Sequence, residues 1–179
     1  GTPLDDETLL DLAASLGADV PFSLKGGTAL GTGRGDELVA MLSRGRLHWV
    51  FINPKVGIPT GKAFSLLDDM RHNNATLVPH LNTQALSQAL TSGDATRVAA
   101  AMHNDLEDPA LAMRPQLTRL LDRAGEAGLR AMVSGSGPTV AVLCESLEHA
   151  RWVAEDLAEH FAGYEAVSYT HLTLPTNRE

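Results

Sequence analysis

The stretch Leu129–Glu145, LRAMVSGSGPTVAVLCE, constrains the fold more tightly than any other part of the chain. Two apolar runs, AMV and TVAVLC, flank a turn built from small residues and one proline. Neither run shows the 3.6-residue period of a helix, and both are short and rich in β-formers, so the segment reads as strand, turn, strand. A hairpin this apolar has to be covered by another layer of structure.

The covering layer is legible nearby. Residues 146–161 carry Ala150, Val153, Ala154, Leu157 and Phe161 at helical spacing, and 114–127 carry Leu117, Leu120, Leu121 and Ala124, with Gly128 as the stop. Upstream, LHWVFINP (47–54) reads as a strand closed by Asn-Pro. A helix starts at Thr60, a candidate N-cap, with Ala63, Leu66, Leu67 and Met70 as its stripe. Residues 72–81 have no period and read as a loop, followed by helices over 83–92 and 94–106 with Asp94 as the second cap. A last strand starts at Tyr164. The order from 47 to 167 is strand, helices, strand, strand, helix, strand. That predicts an α+β fold, a largely antiparallel sheet with helices on one face and a ferredoxin-like core.

Before this core, Leu9, Leu12, Ala13 and Leu16 mark a helix with Asp5, Asp6 and Glu7 at its N-terminal end and Gly17 after it. GGTALGTGRGDELVAML then reads as a hairpin turning at Gly33–Asp36. The chain opens without Met and runs at once into a helix, so the parent's N-terminus is expected upstream.

Charge narrows the function. The net charge is −8 with no Lys/Arg cluster, which argues against nucleic-acid binding and against a polybasic membrane-surface role. No apolar run reaches the ~20 residues that span a bilayer. The single cysteine, Cys144, excludes an internal disulfide, fits a reducing compartment and lies in an apolar run as a small core residue.

Four features could carry chemistry. Asp19 in GADVPF is fixed by Gly17 and by Pro21, which pushes Val20 towards extended backbone; a carboxylate held this way can orient a hydroxyl, or simply bond nearby backbone N–H groups in a turn. Ser134–Thr139 can form an anion-binding nest of backbone N–H groups, or merely a tight turn needing positive φ. It is no Walker-type loop, because no Lys-Ser/Thr follows and a strand comes next. Phe64 lies about 100° off the apolar stripe of its helix, where it can stack on a ligand ring or widen the core face. His103, Asn104, Asp105 and Glu107 form a polar knot that reads as a solvated helix face or helix end, although His103 with Glu107 at i+4 could bind a metal.

Taken in order, GADVPF, GGTALGTGRGDEL, NPKVGIPTGKAF and VSGSGPTVAVL resemble the 4-(cytidine 5′-diphospho)-2-C-methyl-D-erythritol kinases of the GHMP kinase superfamily, from about Leu9 to Val167. The resemblance implies a two-domain kinase, with residues 1–44 ending its N-terminal catalytic domain and 45–167 forming its C-terminal domain. It implies Asp19 as the catalytic aspartate beside Ala18, with Thr60 and Phe64 near the cytidine and Phe64 stacked on the base. Gly135, Ser136 and Gly137 match the superfamily's third motif, on the nucleotide-phosphate side. ATP and Mg²⁺ are implied as Mg-ATP, with no metal site in this stretch, a small-molecule substrate and a cytoplasmic location.

The departures are as informative. The family's glycine-serine ATP loop and its N-terminal lysine are absent from these residues, so the stretch alone is expected to be inactive. Residues 168–179, SYTHLTLPTNRE, resemble translated sequencing-adaptor read-through and are expected to lie outside the fold, cutting the last strand short. A sister kinase acting on homoserine or a mevalonate, and a non-enzymatic ferredoxin-like binding module, are the competing readings.

Overall fold

The computed structural model describes residues 5–172. Helix α1 (Asp6–Leu16) starts at Asp5, whose carboxylate accepts from Thr8 N at 2.8 Å. Helix α2 (Val20–Lys25) follows at once, and strands β1 (Ala29–Thr32) and β2 (Glu37–Ala40) form a separate two-stranded antiparallel sheet around the expected turn. Val20 is therefore helical rather than extended. Pro21 falls in the first turn of α2, where its missing N–H leaves no intrahelical bond unmade.

The second sheet contains β3 (Arg46–Asn53), β4 (Arg130–Val133), β5 (Val140–Cys144) and β6 (Glu165–Leu172) in the spatial order β4-β5-β3-β6, every neighbouring pair antiparallel. With helices between β3 and β4 and between β5 and β6, this is the split βαβ order of a ferredoxin-like core. Alternation along the strands divides the apolar residues between two faces. Val50 and Ile52 of β3, Val140, Val142 and Cys144 of β5, and Ala131 and Val133 of β4 face the main core. That core is closed by α3 (Thr60–Asn73), α6 (Glu107–Met113), α7 (Gln116–Ala127) and α8 (Leu147–His160). Arg123 of α7 donates through two nitrogens to the Asp156 carboxylate, tying α7 to α8 beside that core.

The expectation of helices on one face is corrected here. Leu47 and Leu143 point to the opposite face, where α4 (Gln84–Ser92) and α5 (Ala95–Ala101) cover them with Ala89, Leu90, Val98 and Ala99. Farther along that face lie the rings of Trp49, Phe51 and Tyr169, with neighbouring centroids 6.3 and 6.4 Å apart. The last strand is not cut short at Val167: Ser168–Leu172 continue the ladder with β3, while residues 173–179 lie outside the described part.

The helix expected over 94–106 stops at Ala101. Asp94 caps α5 as expected, accepting from Thr96 N and Arg97 N. At Met102, however, the backbone turns extended, and a new helix, α6, starts at Glu107 with Pro109 in its first turn. Thr60, in turn, is the first residue of α3 and not its cap; Pro59 holds that place and no side chain caps the end.

Candidate functional site

The SGSGP turn joins β4 to β5 at one end of the main sheet. Ser134 N donates to Thr139 O at 2.8 Å, and Gly137 N donates to Ser134 O at 2.9 Å, which closes the turn. Gly135 and Gly137 have φ of +57° and +79°, a region that favours glycine. Space also demands glycine at 137, since a Cβ there would lie 3.0 Å from Val133 Cγ1 and 3.2 Å from Ile58 Cδ1. Gly135 N–H and Ser136 N–H have no protein acceptor among the described residues. Two unspent N–H groups on one tight turn are what an anion nest requires.

The first turn of α3 approaches this loop from the other side. Thr60 Oγ1 and Ser136 Oγ share a hydrogen bond of 2.9 Å, so two segments 76 positions apart meet through side chains that sequence reasoning had singled out separately. Because Thr60 does not cap its own helix, its hydroxyl is available for this contact. Phe64 lies one helical turn further on, four residues along the same face as Thr60, with 51% of its surface exposed while Ala63 and Leu67 beside it are buried. The ring is a rim aromatic and contributes little to the core.

Asp19 occupies the N-cap position of α2 with φ −88° and ψ −11°, but its carboxylate makes no capping bond. Its exposed side chain is not spent on neighbouring N–H groups, as a simple turn aspartate's would be. No hydrogen bond or ion pair among the described residues joins it to Thr60, Phe64 or the SGSGP turn. The structure thus brings Thr60 against Ser136 of the Gly135–Gly137 turn, with Phe64 one turn along α3, and leaves Ala18 and Asp19 on the segment that carries the two-stranded sheet.

Asn104 and Glu107 brace the turn from beneath, which the reading of a solvated helix face did not foresee. Asn104 Nδ2 donates to Val133 O at 2.7 Å and to Gly135 O at 2.8 Å, and Oδ1 accepts from Leu106 N at 3.0 Å. Glu107 Oε2 accepts from Val133 N at 2.8 Å. Next to them, Asp105 accepts from Arg71 Nη2 at 2.5 Å and from His80 N at 3.1 Å, and lies 2.6 Å from His103 Nε2. Burial pushes the Asp105 carboxyl up, but the His80 N–H, the His103 ring and Arg71 together hold it below its ordinary value. The signal was present in the sequence: Asn-Asp before a proline at Pro109 marks a helix start, not a helix interior. Among the described residues no three His, Cys, Asp or Glu side chains gather as a metal site, so the His103–Glu107 pair holds no such set.

Comparison with known proteins bears on the family. Residues 86–163 match the family model described as GHMP kinases C terminal. A 4-diphosphocytidyl-2-C-methyl-D-erythritol kinase of Corynebacterium diphtheriae is 45% identical over 162 residues, covering 90% of this chain and 50% of the relative. One of Thermobifida fusca is 49% identical over 158 residues, covering 88% and 50%. The chain therefore spans about half the length of the curated relatives it matches. A crystal structure of 4-(cytidine 5′-diphospho)-2C-methyl-D-erythritol kinase superposes with a TM-score of 0.74 at 30% identity, over 95% of this chain and 58% of the other. A homoserine kinase from Cytophaga hutchinsonii shares the fold at TM-score 0.69 and 20% identity, over 96% and 59%. With a split βαβ sheet, a braced SGSGP turn and these relatives, the chain belongs to the GHMP kinase family and carries its C-terminal domain.

Proposed function

We propose that the parent protein transfers the γ-phosphoryl group of ATP to a hydroxyl of 4-(cytidine 5′-diphospho)-2-C-methyl-D-erythritol, in the non-mevalonate route to isopentenyl diphosphate. The observation that carries this reading is the Thr60–Ser136 hydrogen bond, which sets a rim aromatic beside a turn with two unspent N–H groups. A cytidine diphosphate needs a ring to stack on and, nearby, donors for phosphate oxygens; Phe64 and the SGSGP turn offer both. Curated relatives named for this substrate support the choice over homoserine or mevalonate, whose kinases share the fold at about 20% identity.

Phosphoryl transfer rests mainly on positioning and charge stabilisation. In this reading Asp19, beside Ala18, orients the attacking hydroxyl and accepts its proton, with a carboxylate already free of capping duty. Gly135, Ser136 and Gly137 line the phosphate side. Mg²⁺ would arrive bound to ATP rather than to a site on these residues, and would supply charge neutralisation on the phosphates. Residues 1–44 belong to the end of the catalytic domain and 45–167 to the C-terminal domain, and the protein works in the cytoplasm. Among the described residues no helix is long and apolar enough to cross a membrane.

Calorimetric titration of the full-length protein with the cytidylyl alcohol tests the substrate. Phe64→Ala is expected to weaken that binding by ~1–3 kcal/mol, the worth of one aromatic–base stack, and to leave Mg-ATP binding unchanged. Equal affinity of wild type and variant would remove the cytidine from this face, and selective binding of homoserine or mevalonate would replace the substrate.

A further inference from the structure

Asn104 belongs to no helix or strand, and two of its three amide contacts hold the SGSGP turn while the third fixes its own segment. The two Nδ2 hydrogens go to Val133 O and Gly135 O, and Oδ1 takes Leu106 N. The amide orientation is thereby set, since a flipped amide would place its oxygen against two carbonyls. Asp105, held by Arg71, His80 and His103, anchors the segment from which Asn104 reaches.

In a trans peptide the C=O and the following N–H point to opposite sides. Drawing Val133 O towards Asn104 leaves Ser134 N–H on the far side, where it meets Thr139 O. Drawing Gly135 O towards Asn104 likewise turns Ser136 N–H outward, and there it meets no acceptor among the described residues. The hydroxyl of the same residue is held by Thr60. Among the described residues, one N–H is thus presented in a fixed direction without a partner.

We propose that Asn104 is a positioning residue that aims the Ser136 N–H at a phosphate oxygen of the bound ligand. This rests on the functional reading above, in which the SGSGP turn faces phosphate. The phosphate comes either from ATP or from the diphosphate of the cytidylyl alcohol. Both offer the same oxygen chemistry, and the test separates them.

The discriminating variant is Asn104→Asp in the full-length protein. It keeps the shape and the acceptor for Leu106 N but sets an oxygen against two carbonyls, so the Gly135–Ser136 peptide is released. Binding is read with the magnesium complex of a non-hydrolysable ATP analogue, with the cytidylyl alcohol, and with the bare nucleosides adenosine and cytidine. At least about tenfold weaker binding of one phosphorylated ligand is expected, with its nucleoside and the other phosphorylated ligand unaffected. The ligand that weakens identifies the phosphate. A folded variant that binds every ligand as wild type does, or that loses phosphorylated ligands and nucleosides alike, overturns the proposal.

If the variant fails to fold, the amide resonance of Ser136 in the wild-type protein decides. It is expected to shift on saturation with one of the two phosphorylated ligands and not with the nucleosides. An amide that stays in place under both ligands overturns the proposal. Wild-type protein that binds neither phosphorylated ligand overturns the functional reading, and this inference falls with it.

Discussion

Asp105 shows how a residue's partners set its behaviour. Its carboxyl titrates below the ordinary value of 3.8, so it stays charged in the folded protein at pH values where the unfolded chain takes up a proton. A depressed folded value means stability that is fully present above pH 3.8 and lost as pH falls below it. Urea midpoints of wild type and Asp105→Asn are therefore expected to differ at pH 6 and to converge as pH falls below 3.8. A constant difference across that range would show that the ion pair with Arg71 and His103 contributes nothing through charge. Cys144 is the opposite case, fully buried with its thiol pushed up to about 11 by burial. It is expected to resist alkylation at pH 8 until the protein unfolds, and rapid native labelling would contradict its place in the core. The burial of Cys144 was legible in the run TVAVLC, because the run itself is apolar. The role of Asn104 was not, because its partners Val133 and Gly135 lie 29 and 31 positions away.

At the scale of elements, local pattern was enough wherever one face dominates. Helix α7 buries Leu117, Leu120 and Ala124 completely, the stripe read from spacing, and Leu120→Ala is expected to cost ~2–5 kcal/mol of unfolding free energy in urea titrations. The same helix ends at Gly128, whose φ of −110° any residue adopts, so its requirement for glycine is spatial. A Cβ there would fall 2.3 Å from Val142 Cγ1, on a stiff side chain in the middle of β5. Gly128→Ala is expected to destabilise by ~1–3 kcal/mol through overpacking, and a neutral result would show that β5 yields at Val142. Pattern failed where tertiary contacts override it. The alanines of α5 invite continuation to residue 106, but Asn104 gives its amide to the turn and the helix stops at Ala101. The placement of α4 and α5 was also hidden, because alternation in a strand tells that Leu47 and Leu143 share a face but not which helix covers them.

Across the whole molecule, the two sheets are finished to different degrees. The four-stranded sheet buries a continuous apolar core, and no polar or charged residue is buried among the described residues. The segment before it does not close on itself: Leu12, Leu16, Leu24, Val39 and Leu42 are exposed, Leu16 to 80%. On α1 the exposed Leu9, Leu12 and Leu16 fall at helical spacing, and an apolar helix face is a surface that needs covering. The 179-residue chain in isolation is expected to associate with rising concentration in light scattering, and Leu16→Glu to reduce the association without lowering the thermal midpoint. A monodisperse solution with a sharp reversible thermal transition would show that the segment is self-sufficient.

The measurement that bears most directly on the proposed chemistry is ATP-dependent phosphorylation by the full-length protein, with the cytidylyl alcohol, homoserine and mevalonate in competition and Asp19→Asn as the variant. Turnover of the cytidylyl alcohol alone is expected, with kcat falling ~10²-fold or more in Asp19→Asn while substrate binding holds. Wild-type turnover by Asp19→Asn, or transfer to homoserine or mevalonate in preference to the cytidylyl alcohol, would contradict it.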